Sequence, residues 1–413
     1  MRYIPPEPRW DLVEEHLDEA EFLWGMWEHS LRSPKYTLDT VARGPEARLL
    51  ANIDALLVNG PEVAPRLLVP VLAEQAPDRV SAAAAVLLAS PQSSDAAAVF
   101  AAWYDLPAQR PALARALARA ERPELLPLLR AQLDDPAQLL ATAEVLVFRG
   151  EPLGPALARL LASDDPAARA LGLRALPDER EPAAHMQALI AGLLTEQPEV
   201  LDAAITAGAR LGLELAWARA RDRAQERHGG ASLLLLALRG DPADHPVLRA
   251  TLGLPKRRAA ALWALAFLGL PWVVDASLEF LDDPKVGHLA AELFTIVTGV
   301  DLHAAGLAAP PDERTLPVVT PEDELPRVDP LAALTWWLKH RDGYHDDQRY
   351  LAGAPYSLPA VRTALERAPM RRRPVHLQDL QLHAAGHHPR LEPRATTRRQ
   401  RAQLVVLQGL PLA

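Results

Sequence analysis

Apolar residues recur along most of the chain at the i, i+3, i+4, i+7 spacing that puts them on one face of a helix. Leu153, Leu157, Leu160 and Leu161 form one such set, and Met186, Leu189, Ile190, Leu193 and Leu194 form another. No segment alternates apolar and polar residues as a half-buried strand would. Between about Asp134 and Leu302 the helical pattern breaks roughly every 30 residues. The breaks share a signature: Asp134-Asp135-Pro136, Asp164-Asp165-Pro166, Glu196-Gln197-Pro198 and Asp282-Asp283-Pro284. An acidic residue at such a junction caps the following helix, and proline occupies its first turn. Weaker breaks fall at Pro77-Asp78, Pro107, Gly229-Gly230 and Leu254-Pro255. Two helices per beat predict an all-α architecture, an α-solenoid in which each repeat buries its apolar face against the next.

The ends depart from this rhythm. Asp11 is expected to start the first helix, with Glu14 completing a capping box, and Val13, Leu17, Ala20, Leu23, Trp24, Trp27 and Leu31 to form its buried stripe. Thr37 is expected to cap a second helical region that stops at Gly60-Pro61. Residues 1–60 therefore read as a helical cap and 61–302 as repeats. Residues 303–330 are Pro-rich and acidic and read as an extended connector, and 331–413 as a C-terminal helical region with a basic tail. Leu331, Leu334, Trp337 and Leu338 open that last region.

Composition narrows the function. There are no cysteines, which excludes disulfides, thiolate metal sites and a cysteine nucleophile. Residues 1–11 lack the basic and apolar segments of a signal peptide. The longest apolar run, 259–274, is interrupted by Gly269 and Pro271 and suits a buried helix better than a bilayer span. These features predict a soluble, cytoplasmic protein. The net charge is −9; residues 361–413 carry 10 basic and 3 acidic side chains, and the 61–360 body 28 and 39. An acidic body repels nucleic-acid phosphate and favours a basic protein partner.

The blocks Glu15-His16-Leu17-Asp18-Glu19-Ala20-Glu21-Phe22-Leu23-Trp24, Ser33-Pro34-Lys35-Tyr36-Thr37-Leu38, Phe294-Thr295-Ile296-Val297-Thr298-Gly299-Val300-Asp301-Leu302 and Arg349-Tyr350-Leu351-Ala352-Gly353-Ala354-Pro355 resemble the recurrent blocks of an uncharacterised proteobacterial family. That resemblance implies a HEAT-like repeat protein without known catalytic residues. It also implies a place in type VI secretion, where members are often encoded beside secretion or effector-handling components.

Candidate chemistry is sparse. His383, His387 and His388 lie close together, the first two a helical turn apart, and His340, His345, Asp346 and Asp347 crowd a loop. A metal-binding or enzymatic role for the His-rich C-terminal region is the alternative these residues raise. Against catalysis, the chain has no His-Glu dipeptide of the kind that ligates iron in HEAT-fold hydroxylases, no Gly-rich phosphate loop and no nucleophile elbow. No catalytic residue, cofactor or metal is therefore expected. Trp336 and Trp337 point about 100° apart on a helix, so one packs while the other can lie at an interface. Arg371-Arg372-Arg373 can meet phosphate or an acidic partner. These five residues are the expected partner-binding set. The leading reading is a non-enzymatic scaffold or adaptor for a protein partner, a secretion effector or apparatus component. Nucleic-acid binding through the 371–413 tail is a third and weaker reading.

Overall fold

The computed structural model describes residues 8–310, 320–383 and 390–409. Among them regular structure is helical apart from one pair of two-residue strands, Tyr350–Leu351 and Ala354–Pro355, which the absence of any alternating pattern did not foretell. The fold is the all-α, solenoid-like one that the periodicity predicts.

The chain forms two compact units, one from residues 1–32, 36–160 and 390–405, the other from 33–35, 161–389 and 406–413. This division differs from the boundaries expected at 60, 302 and 330, because residues distant in sequence dock inside each unit. In the first unit the Thr397 backbone N–H and hydroxyl both reach the buried Glu46 carboxylate, at 2.9 and 2.8 Å, and Trp27 donates its indole N–H to the same group at 3.0 Å.

In the first unit the helix Trp10–Ser30 packs on Pro45–Val58 and Pro77–Ala89. Pro77–Ala89 packs on Arg110–Arg119, which packs on Leu139–Phe148. The expected stripe is buried: Val13, Leu17, Ala20, Leu23, Trp24 and Trp27 all face the core. Ala82, Ala83 and Ala84 are fully buried, since a methyl side chain lets neighbouring helices approach closely. The first helix begins two residues earlier than the expected cap at Asp11 would place it. Arg9 holds the cap position without a side-chain cap, and Asp11 pairs with Arg9 at 2.8 Å instead of capping. Thr37 does cap Leu38–Arg43: the Thr37 hydroxyl accepts from the Thr40 N–H, and the Thr40 hydroxyl from the Thr37 N–H at 2.8 Å.

In the second unit Pro166–Ala175, Pro198–Arg210, Gly230–Arg239, Arg258–Leu268 and Gly287–Thr298 stack each on the next. The intervening helices Met186–Leu193, Glu214–Ala224, His245–Leu252 and Pro271–Ser277 form a second layer. Asp165 caps as expected, accepting the Ala167 N–H at 3.0 Å with Pro166 in the first turn. Asp135 and Asp283 accept from the N–H two residues on in the same way, but their helices start later, at Leu139 and Gly287. The expected connector is pinned at its described ends, with Ala309 N–H donating to Arg327 O at 3.0 Å and Asp329 N–H to Leu307 O at 2.9 Å.

Every α-helix leaves its last carbonyls without intrahelical donors, and here one segment collects them. The Arg349 guanidinium donates to Leu238 O (3.3 Å), Phe267 O (3.0 Å) and Leu268 O (2.9 Å), at the ends of two successive repeat helices. The backbone then continues the series: Tyr350 N–H to Gly269 O at 2.7 Å, Ala352 N–H to Ile296 O at 2.8 Å, Gly353 N–H to Val297 O at 2.9 Å. Gly269 and Gly299 end their helices in the left-handed region, each with φ +70°. A side chain at either would collide with the carbonyl of Tyr350 or Ala352.

A direct check follows from comparing two glycines of like conformation. Gly306 has φ +68° and open space around it, whereas Gly269 meets the strap formed by residues 349–353. Gly306→Ala should cost about 1 kcal/mol, the left-handed penalty alone. Gly269→Ala should cost about 1–3 kcal/mol more, because the backbone of 349–353 must move. Urea unfolding of the two variants measures the difference; equal costs would mean that the strap does not bear on Gly269.

Candidate functional site

The helix Pro330–His340 is started by Asp329, which accepts the Ala332 N–H at 2.8 Å. Ala333 and Trp337, four residues apart, form its buried face. Trp337 is 1% exposed, donates its indole N–H to Asp275 at 2.6 Å, and lies against Phe294 and Tyr344 with ring centroids 6.4 and 4.9 Å away. Trp336 is half-buried, meets Phe294 edge-on at 5.5 Å and stacks on His340 at 4.1 Å. The adjacent indoles thus diverge, one inside and one at the margin. The solvent-facing side of the helix carries Leu331 (73% exposed), Leu334 (39%) and Leu338 (67%). Their i, i+3, i+7 spacing makes one continuous apolar stripe, distinct from the packed Trp337 that shares their pattern in the sequence.

The arginine run turns inward. Arg371 pairs with Glu292 at 3.1 Å and with Glu322 at 2.5 Å, and its guanidinium lies 4.3 Å from the Trp263 ring centre. Arg372 reaches Glu292 at 3.1 Å and the Thr295 hydroxyl at 2.8 Å. Arg373 is fully buried and donates to Leu365 O at 2.7 Å; burial pulls its pKa down to about 10. The three do not form the solvent-facing basic patch that their sequence suggests. A buried carboxylate is costly unless cations pair with it, and Glu292, 3% exposed on the helix Gly287–Thr298, takes two of them. That partner stands 79 residues from Arg371, where no local signal reveals it.

Arg372 also lines a cavity of about 870 Å³ in the second unit. The cavity lies among the end of Gly287–Thr298, the strand pair and the helix Leu358–Arg367. His376, on the helix Arg373–His383, lines it too. Its imidazole is 2% exposed and sits 5.6 Å from the Phe267 ring, and burial lowers its pKa to about 4. On the same helix His383 faces Asp379 at 3.0 Å, and Asp379 also accepts the Tyr356 hydroxyl at 2.8 Å. Burial opposes protonation of His383, but the bond and charge of Asp379 outweigh it and raise the pKa. His387 and His388 lie outside the described residues. Among the described residues no group of three or more His, Asp or Glu side chains is placed to hold a metal ion. No described helix is long and apolar enough to cross a membrane. No protein-family model matches the chain, and none of the curated proteins compared with it is similar.

His376 gives a pH signature. The unfolded chain binds a proton near pH 6.5 that the folded imidazole refuses until about pH 4. The neutral imidazole's contribution is complete above pH 6.5 and is lost as pH falls toward 4, by roughly 3 kcal/mol in all. Buried Glu46 and Glu392 have raised pKa values and act in the opposite direction, so the comparison is wild type against His376→Phe. The loss of stability between pH 7 and 4.5, followed by urea unfolding, should be shallower in the variant; parallel curves would place the titration elsewhere.

Proposed function

We propose that this protein is a non-enzymatic adaptor or scaffold that holds a protein partner on the Leu331–Leu334–Leu338 face. The observation that carries the reading is the stripe itself. Single exposed leucines are ordinary, whereas three on one helical face form a recognition surface for an amphipathic segment. Trp337 anchors the helix from behind, so the leucines are presented in a fixed geometry with little ordering cost on binding. The net charge of the chain is −9, which favours a partner whose apolar face is bordered by basic residues. The resemblance of the four sequence blocks supports a cytoplasmic role in handling a type VI secretion effector or apparatus component. The five residues first expected at the interface fall into two groups in this reading. Trp336 borders the stripe and Trp337 packs beneath the same helix, while Arg371 to Arg373 are engaged elsewhere, around Glu292 and Leu365 O.

The test is affinity capture from the native cells with the wild-type protein and with Leu331→Glu/Leu338→Glu, the captured proteins being identified by mass spectrometry. Both substitutions are at exposed positions and should change stability by no more than about 0.5 kcal/mol each. The wild type should retain a secretion effector or apparatus component that the variant loses, with thermal unfolding unchanged. Equal recovery by both proteins, or no retained partner, would contradict the proposal.

A further inference from the structure

The cavity in the second unit differs in chemistry from the acidic chain around it. Its floor is apolar, formed by Ile296, Leu302, Leu325 and Leu351. Three cations line it: Lys35, Arg367 and Arg372. Two carboxylates line it as well, and both are already engaged. Glu292 is held by Arg371 and Arg372, each at 3.1 Å. Asp301 accepts the His303 and Ala304 backbone N–H groups at 2.9 and 3.0 Å. The cations are less fully satisfied. The Arg367 guanidinium makes no ion pair or hydrogen bond with any described residue. Lys35 is only 3.7 Å from Glu324 and mostly exposed. Arg372 spends its Nε on Glu292 and its Nη2 on Thr295, which leaves Nη1 without a described partner. Lys35 and Arg372 thus each have a carboxylate partner, and Arg367 is the cation of the lining with none among the described residues. It stands beside an apolar floor, in a space within the usual range for small-molecule sites of roughly 300–1,000 Å³.

We propose that this cavity binds a small amphipathic carboxylate, with its apolar body on the Ile296–Leu351 floor and its carboxylate on the Arg367 guanidinium. The planar fork of arginine matches a carboxylate with two parallel N–H donors. One cation without a carboxylate partner suits a monoanion better than a phosphate monoester dianion. Neutral His376 in the lining adds no further charge. This site is separate from the leucine stripe and does not depend on the adaptor reading.

Isothermal titration of the full chain with decanoate, decyl phosphate and decyltrimethylammonium, all below their micelle concentrations, tests it. One decanoate should bind per chain, and the ammonium amphiphile should not bind. Arg367 is exposed, so Arg367→Glu should leave thermal unfolding unchanged while weakening decanoate by about tenfold or more, the loss of a charge-assisted bond; Arg367→Lys should recover part of that affinity. Ala364→Phe, which fills the cavity from its wall, should also weaken binding. The proposal is overturned if decanoate fails to bind or binds at several sites. It is also overturned if decanoate is indifferent to Arg367→Glu, if decyl phosphate binds more tightly, or if the ammonium amphiphile binds equally well.

Discussion

The unpaired carbonyls at helix ends are the constraint on which this structure turns. A repeat protein made of short helices has many such ends, and each needs a donor where packing removes it from water. Arginine supplies the donors. Arg122 reaches Ser90 O, Arg159 reaches Leu133 O at 2.6 Å, Arg219 reaches Leu193 O at 2.9 Å, and Arg257 reaches Ala224 O. Arg149 bridges Leu117, Ala120 and Arg122, and Arg399 bridges Ala118, Phe148 and Arg149. Arg349 does the same for Leu238, Phe267 and Leu268. The chain has 40 arginines and only four lysines. A rigid fork can span carbonyls from two helices, whereas an ammonium is a single point donor, so the two residues are not interchangeable in this role.

A second theme is a buried glutamate that receives residues from far along the chain. In the first unit it is Glu46, which takes Trp27 and Thr397; in the second it is Glu292, which takes Arg371 and Arg372. Neither group is cheap to bury, and burial raises the Glu46 pKa despite its three donors. Such groups stabilise only in the one register that satisfies them. Each thereby selects how the C-terminal segments dock within its own unit.

The helical periodicity, the Asp165-Pro166 cap and the burial of Trp24 and Trp27 were all legible, because each depends on residues a few positions apart. The same reasoning placed Asp11 at a cap it does not occupy, since Arg9 two residues earlier competes for the carboxylate. Asp135-Pro136 and Asp283-Pro284 look like Asp165-Pro166 in sequence, yet their helices begin later. The arginine run looks like surface in the sequence because its partner, Glu292, lies outside any local window. The blocks Phe294–Leu302 and Arg349–Pro355 stood out in the sequence and prove to touch each other. Gly299 and Gly353 are needed there for close backbone approach, so part of what made those blocks conspicuous is structural. The Leu331–Leu334–Leu338 stripe and Trp337 share one helical pattern, and the sequence alone does not say which face is covered.

If helix-end carbonyls govern this fold, residues 349–353 are held as firmly as the repeat helices they tie. Hydrogen exchange measures this directly through the amides of Tyr350, Ala352 and Gly353, which donate to Gly269, Ile296 and Val297. These three amides should exchange as slowly as the interior amides of Arg258–Leu268 and Gly287–Thr298, and open with them as one unit. Exchange at the rate of a free loop, with the helices still protected, would contradict it.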